Sequence, residues 1–173
     1  MKIIFTSLAF FLLLTSFSLI RLKPVDGDDS VTFVIRNFGI GTEGEFKGLK
    51  GAINWDATNP TASTFNVSVD ANTINTNIDS RDNHLRKEEY FNVAKYPTIN
   101  FISTSVSANN IAGNLTIKGV TKQISFPITV TPSGNGYIFE GNFTINRLDY
   151  GVGSSSMVLS DDVKIHLKVH CVQ

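Results

Sequence analysis

From Asp161 to Cys171 the chain alternates without a break: Val163, Ile165, Leu167, Val169 and Cys171 are apolar, and Lys164, His166, Lys168 and His170 between them are not. A period of two with one apolar face is a half-buried β-strand. The same alternation sets Ile124, Phe126, Ile128 and Val130 against Ser125, Pro127, Thr129 and Thr131, and Phe65, Val67, Val69 and Ala71 against Asn66, Ser68 and Asp70. It recurs in Tyr137, Phe139, Phe143 and Ile145, and more loosely around Ile99 and Phe101, Leu115 and Ile117, Ile53 and Trp55, and Val31 to Ile35. Eight or nine strands are predicted. Lys118-Gly119, Asn109-Asn110, Lys47 to Gly51 and Ser133 to Gly136 supply residues that tolerate positive φ in tight turns, so consecutive strands run antiparallel. Ser80 to Phe91 loses the period of two and reads as the single short helix, with a cap at Asp79 or Ser80 and Asp82 in its first turn.

An all-β chain of this kind must bury its apolar faces, by packing two sheets or by closing one into a barrel. Periodicity is compatible with both. The inward positions are rich in phenylalanine, and a barrel lined in this way either fills completely or leaves room for a ligand.

The N-terminus changes the compartment. Lys2 precedes an apolar run, Ile3 to Leu14, that trails into Ser16 and Ser18, the grammar of a secretory signal peptide over residues 1–20. Ser16-Phe17-Ser18 is the candidate cleavage site; because the apolar run continues to Ile20, an uncleaved membrane anchor is the alternative. Residues 21–30, with Pro24 and the Asp26-Gly27-Asp28-Asp29 cluster, read as a polar linker, leaving 31–173 as one β domain. The expected destination is periplasmic or secreted. Cys171 is the single cysteine, so no disulfide within the chain and no N-terminal lipidated cysteine is available. The 15 basic and 15 acidic residues are scattered and balanced, which argues against a nucleic-acid partner.

Several patterns that suggest chemistry fail on physical grounds. Gly39-Ile40-Gly41-Thr42-Glu43-Gly44 spells the dinucleotide fingerprint, but no helix opens behind it to present its amides to a pyrophosphate. His166 and His170 would neighbour each other on a helix; on a strand they stand about 13 Å apart, and Cys171 points the other way, so no metal site forms there. Glu88-Glu89 and Asp161-Asp162 read as solvated charge, and no nucleophile elbow surrounds any serine. Catalytic residues, metals and cofactors are therefore not expected, and the chain reads as a binder rather than an enzyme.

The remaining motifs follow one another in close order. They are Gly44-Glu45-Phe46-Lys47-Gly48-Leu49-Lys50-Gly51, Ile74-Asn75-Thr76-Asn77, Ser80-Arg81-Asp82-Asn83-His84-Leu85, Glu89-Tyr90-Phe91-Asn92, Lys95-Tyr96-Pro97-Thr98-Ile99-Asn100-Phe101 and Gly113-Asn114-Leu115-Thr116-Ile117-Lys118-Gly119-Val120-Thr121-Lys122. Together, over roughly residues 31 to 171, they closely resemble the YceI-like family. One departure is Asn37, in Ile35-Arg36-Asn37-Phe38-Gly39, where many relatives carry histidine at the end of the first strand.

The resemblance implies an exported bacterial protein with a lipocalin-like antiparallel β-barrel, a helix beside it, and an elongated apolar cavity that takes polyisoprenoid chains or similar long-chain amphiphiles. Under that implication Phe65, Val67, Ile99, Phe101, Phe126, Ile128, Phe139, Phe143 and Leu167 are the candidate tunnel lining. Arg81, His84 and Arg86 are the candidates for meeting a charged head group. The expected function is binding, with transport or storage, of an isoprenoid or quinone-like lipid. The alternative is an envelope-stress or interaction protein with a filled barrel and no ligand. Loose membrane association and a homodimer through an exposed sheet edge fit either reading.

Overall fold

A computed structural model describes residues 19–27 and 30–173; the expected signal peptide and its cleavage site fall almost wholly on residues 1–18, outside the described residues. Ten strands, one short α-helix and three short 3-10 helices make up the regular structure among the described residues. The strands are β1 (Ile20–Val25), β2 (Val31–Asn37), β3 (Ile40–Glu45), β4 (Lys50–Trp55), β5 (Thr64–Asp70), β6 (Thr98–Val106), β7 (Asn110–Ile117), β8 (Val120–Ser133), β9 (Gly136–Asn146) and β10 (Leu159–Val172); α1 is Asp79–Leu85.

Eight of these strands close a ring. Neighbours run β1, β4, β5, β6, β7, β8, β9, β10, and β10 returns to β1, all antiparallel, giving the closed barrel that the alternation left open against a sandwich. The hairpin β2–β3 completes the set by pairing β2 to the first half of β10, from Leu159 to Leu167, while β1 takes the end of the same edge, Val172 to His170. One face of every ring strand thus points inward, which is why a two-residue period runs through the chain.

Two strands escaped the sequence pattern, for different reasons. Residues 21–30, expected to be a linker, carry most of β1: Leu22 is fully buried at 0 % exposure and Ile20 packs beside it, while Arg21 and Lys23 point outward. Pro24 is compatible with this strand because it lies on the short stretch where β1 leaves β4 and meets β10. Asp26 also has a structural task, accepting the backbone N–H of Gly48 at 2.9 Å and of Leu49 at 3.0 Å. In β3 the apolar signal is diluted by Gly41 and Gly44. The fingerprint-like glycines have local uses: Phe38 (φ 50) and Gly39 (φ 77) form the two-residue turn between β2 and β3, and the ring of Phe33 lies so closely over Gly44 that a Cβ there would meet it at 2.3 Å.

The helix is shorter than Ser80 to Phe91. It ends after Leu85, with Arg86 as C-cap, and a series of turns follows. Neither Asp79 nor Ser80 caps it; Ile78 is the N-cap and makes no side-chain bond. Asp82 turns inward instead and is buried at 3 % exposure.

Candidate functional site

The barrel interior is divided along its axis. One end is solid: Leu22, Ile53, Trp55, Phe65, Val106, Ile111, Ile128, Phe139 and Cys171 form a continuous buried cluster. Phe139 anchors it, edge-on to Trp55 at 5.4 Å and to Phe65 at 5.2 Å. The other end holds a cavity of about 340 Å³. Inward side chains of β10 border it, and Val163, Ile165, Leu167 and Val169 stay partly accessible although they face the interior, because empty space lies against them.

The nine candidate lining residues separate along this division. Val67, Ile99, Phe101, Phe126, Phe143 and Leu167 lie on the cavity wall. Phe65, Ile128 and Phe139 do not; they belong to the solid end, where their rings and branches fill the space that a ligand would need. Alternation shows which face a residue occupies, not its height along the barrel axis, so the two groups look alike in sequence.

Several wall residues lay outside that candidate set. Phe33 and Ile35 come from β2, Phe46 and Leu49 from the turn before β4, and Phe91 from the segment after α1. Phe46 meets Phe33 at 5.5 Å and Phe91 at 5.4 Å, forming an aromatic group beneath the helix. Only Phe33 and Ile35 carried a signal, the loose alternation from Val31 to Ile35; Phe46 and Phe91 sit in turns with no period to read.

Polar groups reach the cavity chiefly from α1, from the segment before it and from the β2–β3 hairpin: Thr76, Arg81 and His84 from the first two, Asn37 and Thr42 from the hairpin. Thr76 is the hub. Its N–H donates to Asp82 Oδ1 at 2.9 Å and its hydroxyl donates to the same oxygen, while Arg81 donates through Nε to Thr76 Oγ1 at 2.7 Å and through Nη2 to the Thr76 carbonyl at 2.7 Å. This buried network fixes the start of the helix and holds the Arg81 guanidinium at the cavity. His84 is largely exposed, stands edge-on to Tyr90 at 5.1 Å, and has Nε2 at 4.0 Å from Glu89 Oε2.

Arg86, the third head-group candidate, is not on the cavity wall. It donates to the carbonyls of Asn72 at 2.8 Å and Ile74 at 2.9 Å and to Asn83 Oδ1 at 2.9 Å, tying the helix to the loop before it. The cationic wall residue that the sequence did not single out is Arg147, buried at 4 % exposure. Its donors are taken by the carbonyls of Ser160, Val152 and Ser154 and by Asp161 Oδ1, all at 2.8 to 3.0 Å. Arg147 therefore fastens the 152–161 segment and has little capacity left for an anion. Tyr150, also on the wall, has a buried hydroxyl without a partner, and burial together with nearby Asp149 pushes its pKa up to about 12. It is a neutral, mostly apolar part of the lining.

His166, one of the two β10 histidines, points outward and meets Asn142 Oδ1 at 2.8 Å; among the described residues no group of His, Cys, Asp and Glu is arranged to hold a metal ion. A chamber lined mainly by apolar side chains, with a few polar groups on its wall, can accommodate an apolar guest.

Comparison with known proteins agrees with this architecture. Residues 24–171 match the sequence profile of the YceI-like domain. A UPF0312 protein of Pseudomonas paraeruginosa is 34 % identical over 154 residues, covering 83 % of this chain and 81 % of the relative. Among solved structures, BcnA of Burkholderia cenocepacia superposes with a TM-score of 0.77 at 22 % identity, over 88 % of this chain and 96 % of its own. A polyisoprenoid binding domain from Saccharophagus degradans superposes with a TM-score of 0.70 at 18 % identity, over 90 % and 99 %.

Proposed function

We propose that this chain, which belongs to the YceI-like domain family, binds the hydrocarbon tail of one isoprenoid or other long-chain amphiphile in the hollow end of its barrel. The observation that carries the reading is the cavity itself: about 340 Å³ of space enclosed mainly by aliphatic and aromatic side chains, in a barrel whose other end is fully packed. Apolar cavities of this kind exclude water and accept apolar guests. The polyisoprenoid binding domain from Saccharophagus degradans shares the fold and supports the choice of ligand class.

Size sets the first limit. At the ~30 Å³ that a water molecule occupies in the liquid, the space equals roughly eleven waters, and a methylene group is of similar bulk. About ten buried carbons contribute roughly 8 kcal/mol at ~0.8 kcal/mol per methylene, before the costs of association. A longer tail must displace side chains of the solid end or emerge at the mouth. Arg81 and His84 are placed to meet a polar head, and Asn37 contributes an amide where many relatives are expected to have an imidazole.

The binder acts outside the cytoplasm in this reading, as a carrier or a reservoir without catalysis. Cleavage after Ser18 would release a chain beginning at Leu19, with β1 intact. No helix among the described residues is long and apolar enough to cross a membrane. The test is organic extraction of the natively purified protein followed by mass spectrometry against a control protein from the same preparation. A stoichiometric prenyl or quinone-like species is expected. An empty protein whose melting temperature does not rise with added long-chain isoprenoid would overturn the reading.

A further inference from the structure

Beside the cavity stands an apolar projection that the lining does not explain. Phe38 is 75 % exposed and Ile40 is 72 % exposed on the β2–β3 turn, and Met157 and Val158 are exposed on the loop before β10. The two segments are one unit: the Phe38 N–H donates to the Val158 carbonyl at 2.9 Å, and Leu159 pairs with Asn37. Both reach the cavity, through Asn37 and Thr42 on the hairpin and through Val152 on the loop and Leu159 where β10 begins.

Three features make the projection unusual for a surface in water. First, residues 37–42 and 150–160 contain no charged side chain, in a chain with 15 basic and 15 acidic residues. Second, Phe38 is held at φ 50, in a two-residue turn where asparagine or glycine would be relaxed, so a large aromatic is kept at the tip against its backbone preference. Third, four apolar side chains on a turn and a loop fall short of the ~800 Å² per partner that a stable protein interface buries. A bilayer surface demands no such area or matching shape; it rewards apolar groups that dip below the head groups and penalises charge.

We propose that the Phe38–Ile40 turn and the Met157–Val158 loop form a lip that inserts into the surface of a lipid bilayer, so that the cavity mouth opens toward the acyl chains. The geometry stands on its own, but its use in moving a tail between bilayer and barrel rests on the reading above. The lip is uncharged, so its binding responds to apolar area and not to salt.

The experiment is co-sedimentation of the purified full chain with zwitterionic phosphatidylcholine vesicles, beside a Phe38→Ser, Ile40→Ser, Met157→Ser variant carrying the same N-terminus. The variant is expected to partition at least tenfold more weakly, with unchanged melting temperature and unchanged affinity for a soluble fluorescent fatty-chain probe measured without vesicles. A separate Phe38→Trp chain is expected to shift its emission to the blue on adding vesicles and to be quenched by bromine on the acyl chains. Equal sedimentation of variant and parent overturns the lip, as does partitioning abolished by salt or a Trp at position 38 that stays unquenched. A parent chain that sediments with vesicles more strongly than the variant but does not bind the probe supports the lip and overturns the cavity reading.

Discussion

The rings of Phe126 and Phe143 stack with centroids 4.5 Å apart and planes 23° from parallel, and this pair forms the floor between the solid and hollow ends of the barrel. Phe126 belongs to the packed cluster and lines the cavity at once, while Phe143 leans on that cluster from the cavity side. This contact between β8 and β9 shares the boundary with Val67, Phe101, Leu167 and Val169, which likewise pack on the cluster and line the cavity.

Removing the floor should trade stability for length. Phe126→Ala is expected to cost about 3–5 kcal/mol, as large-to-small changes in packed sites do, and to shift the extracted ligand toward longer tails. Urea denaturation and mass spectrometry of the bound lipid read the two effects separately. An unchanged tail distribution would place the floor elsewhere.

Filling the two ends should have opposite consequences. Ile99→Trp puts an indole into empty space and is expected to weaken a long-chain probe at least tenfold while moving the urea midpoint little. Phe139→Trp, at a position already closed by Trp55 and Phe65, overpacks and should cost about 1–3 kcal/mol. If the two variants lose equal stability, the interior is not divided as described.

The Thr76 hydroxyl links Arg81 to buried Asp82. Thr76→Val removes that link and leaves Asp82 under-bonded, an expected loss of about 1–3 kcal/mol. Hydrogen exchange should show α1 amides losing protection before those of β7 and β8. Uniform loss of protection would mean that the helix is not held by this network.

Alkaline pH should weaken the fold. Burial pushes the Cys171 thiol from 9.0 up to about 12, and burial with Asp149 pushes Tyr150 from 10.0 up to about 12. The folded state holds these protons longer than the unfolded chain does, so their stabilising contribution is complete below pH 9 and is lost as pH rises from 9 toward 12. Cys171→Ala should flatten the early part of that decline, and Tyr150→Phe the later part. Tyr150→Phe should cost nothing at neutral pH, because the hydroxyl it removes has no partner. Urea midpoints across this range provide the check.

Much of the architecture was legible because a barrel repeats one rule on every strand. Val163 to Cys171 declare their strand and their inward face without ambiguity, and β5, β8 and β9 do the same. Where other demands overrode the rule, the signal vanished. Gly44 gives up an apolar side chain so that Phe33 can lie across it, and Leu22 sits between an apolar leader and a polar cluster that draw the eye to either side. The site was half legible. Phe101 and Phe65 obey the same alternation, and only the three-dimensional stagger of the strands separates wall from plug. Buried charge left no trace at all: Arg147 and Asp82 look like any surface residue until their partners, distant in sequence or turned inward, are seen.

The ring is sealed where β1 meets β10, over three residue pairs, against eleven between β9 and β10. A chain emerging from its N-terminus carries β1 with one edge bare until His170 to Val172 have been made, so the cylinder cannot shut piecemeal. Its final closure waits on β10. The barrel is therefore an all-or-nothing enclosure: until the seam zips, its interior is an open trough lined with apolar side chains.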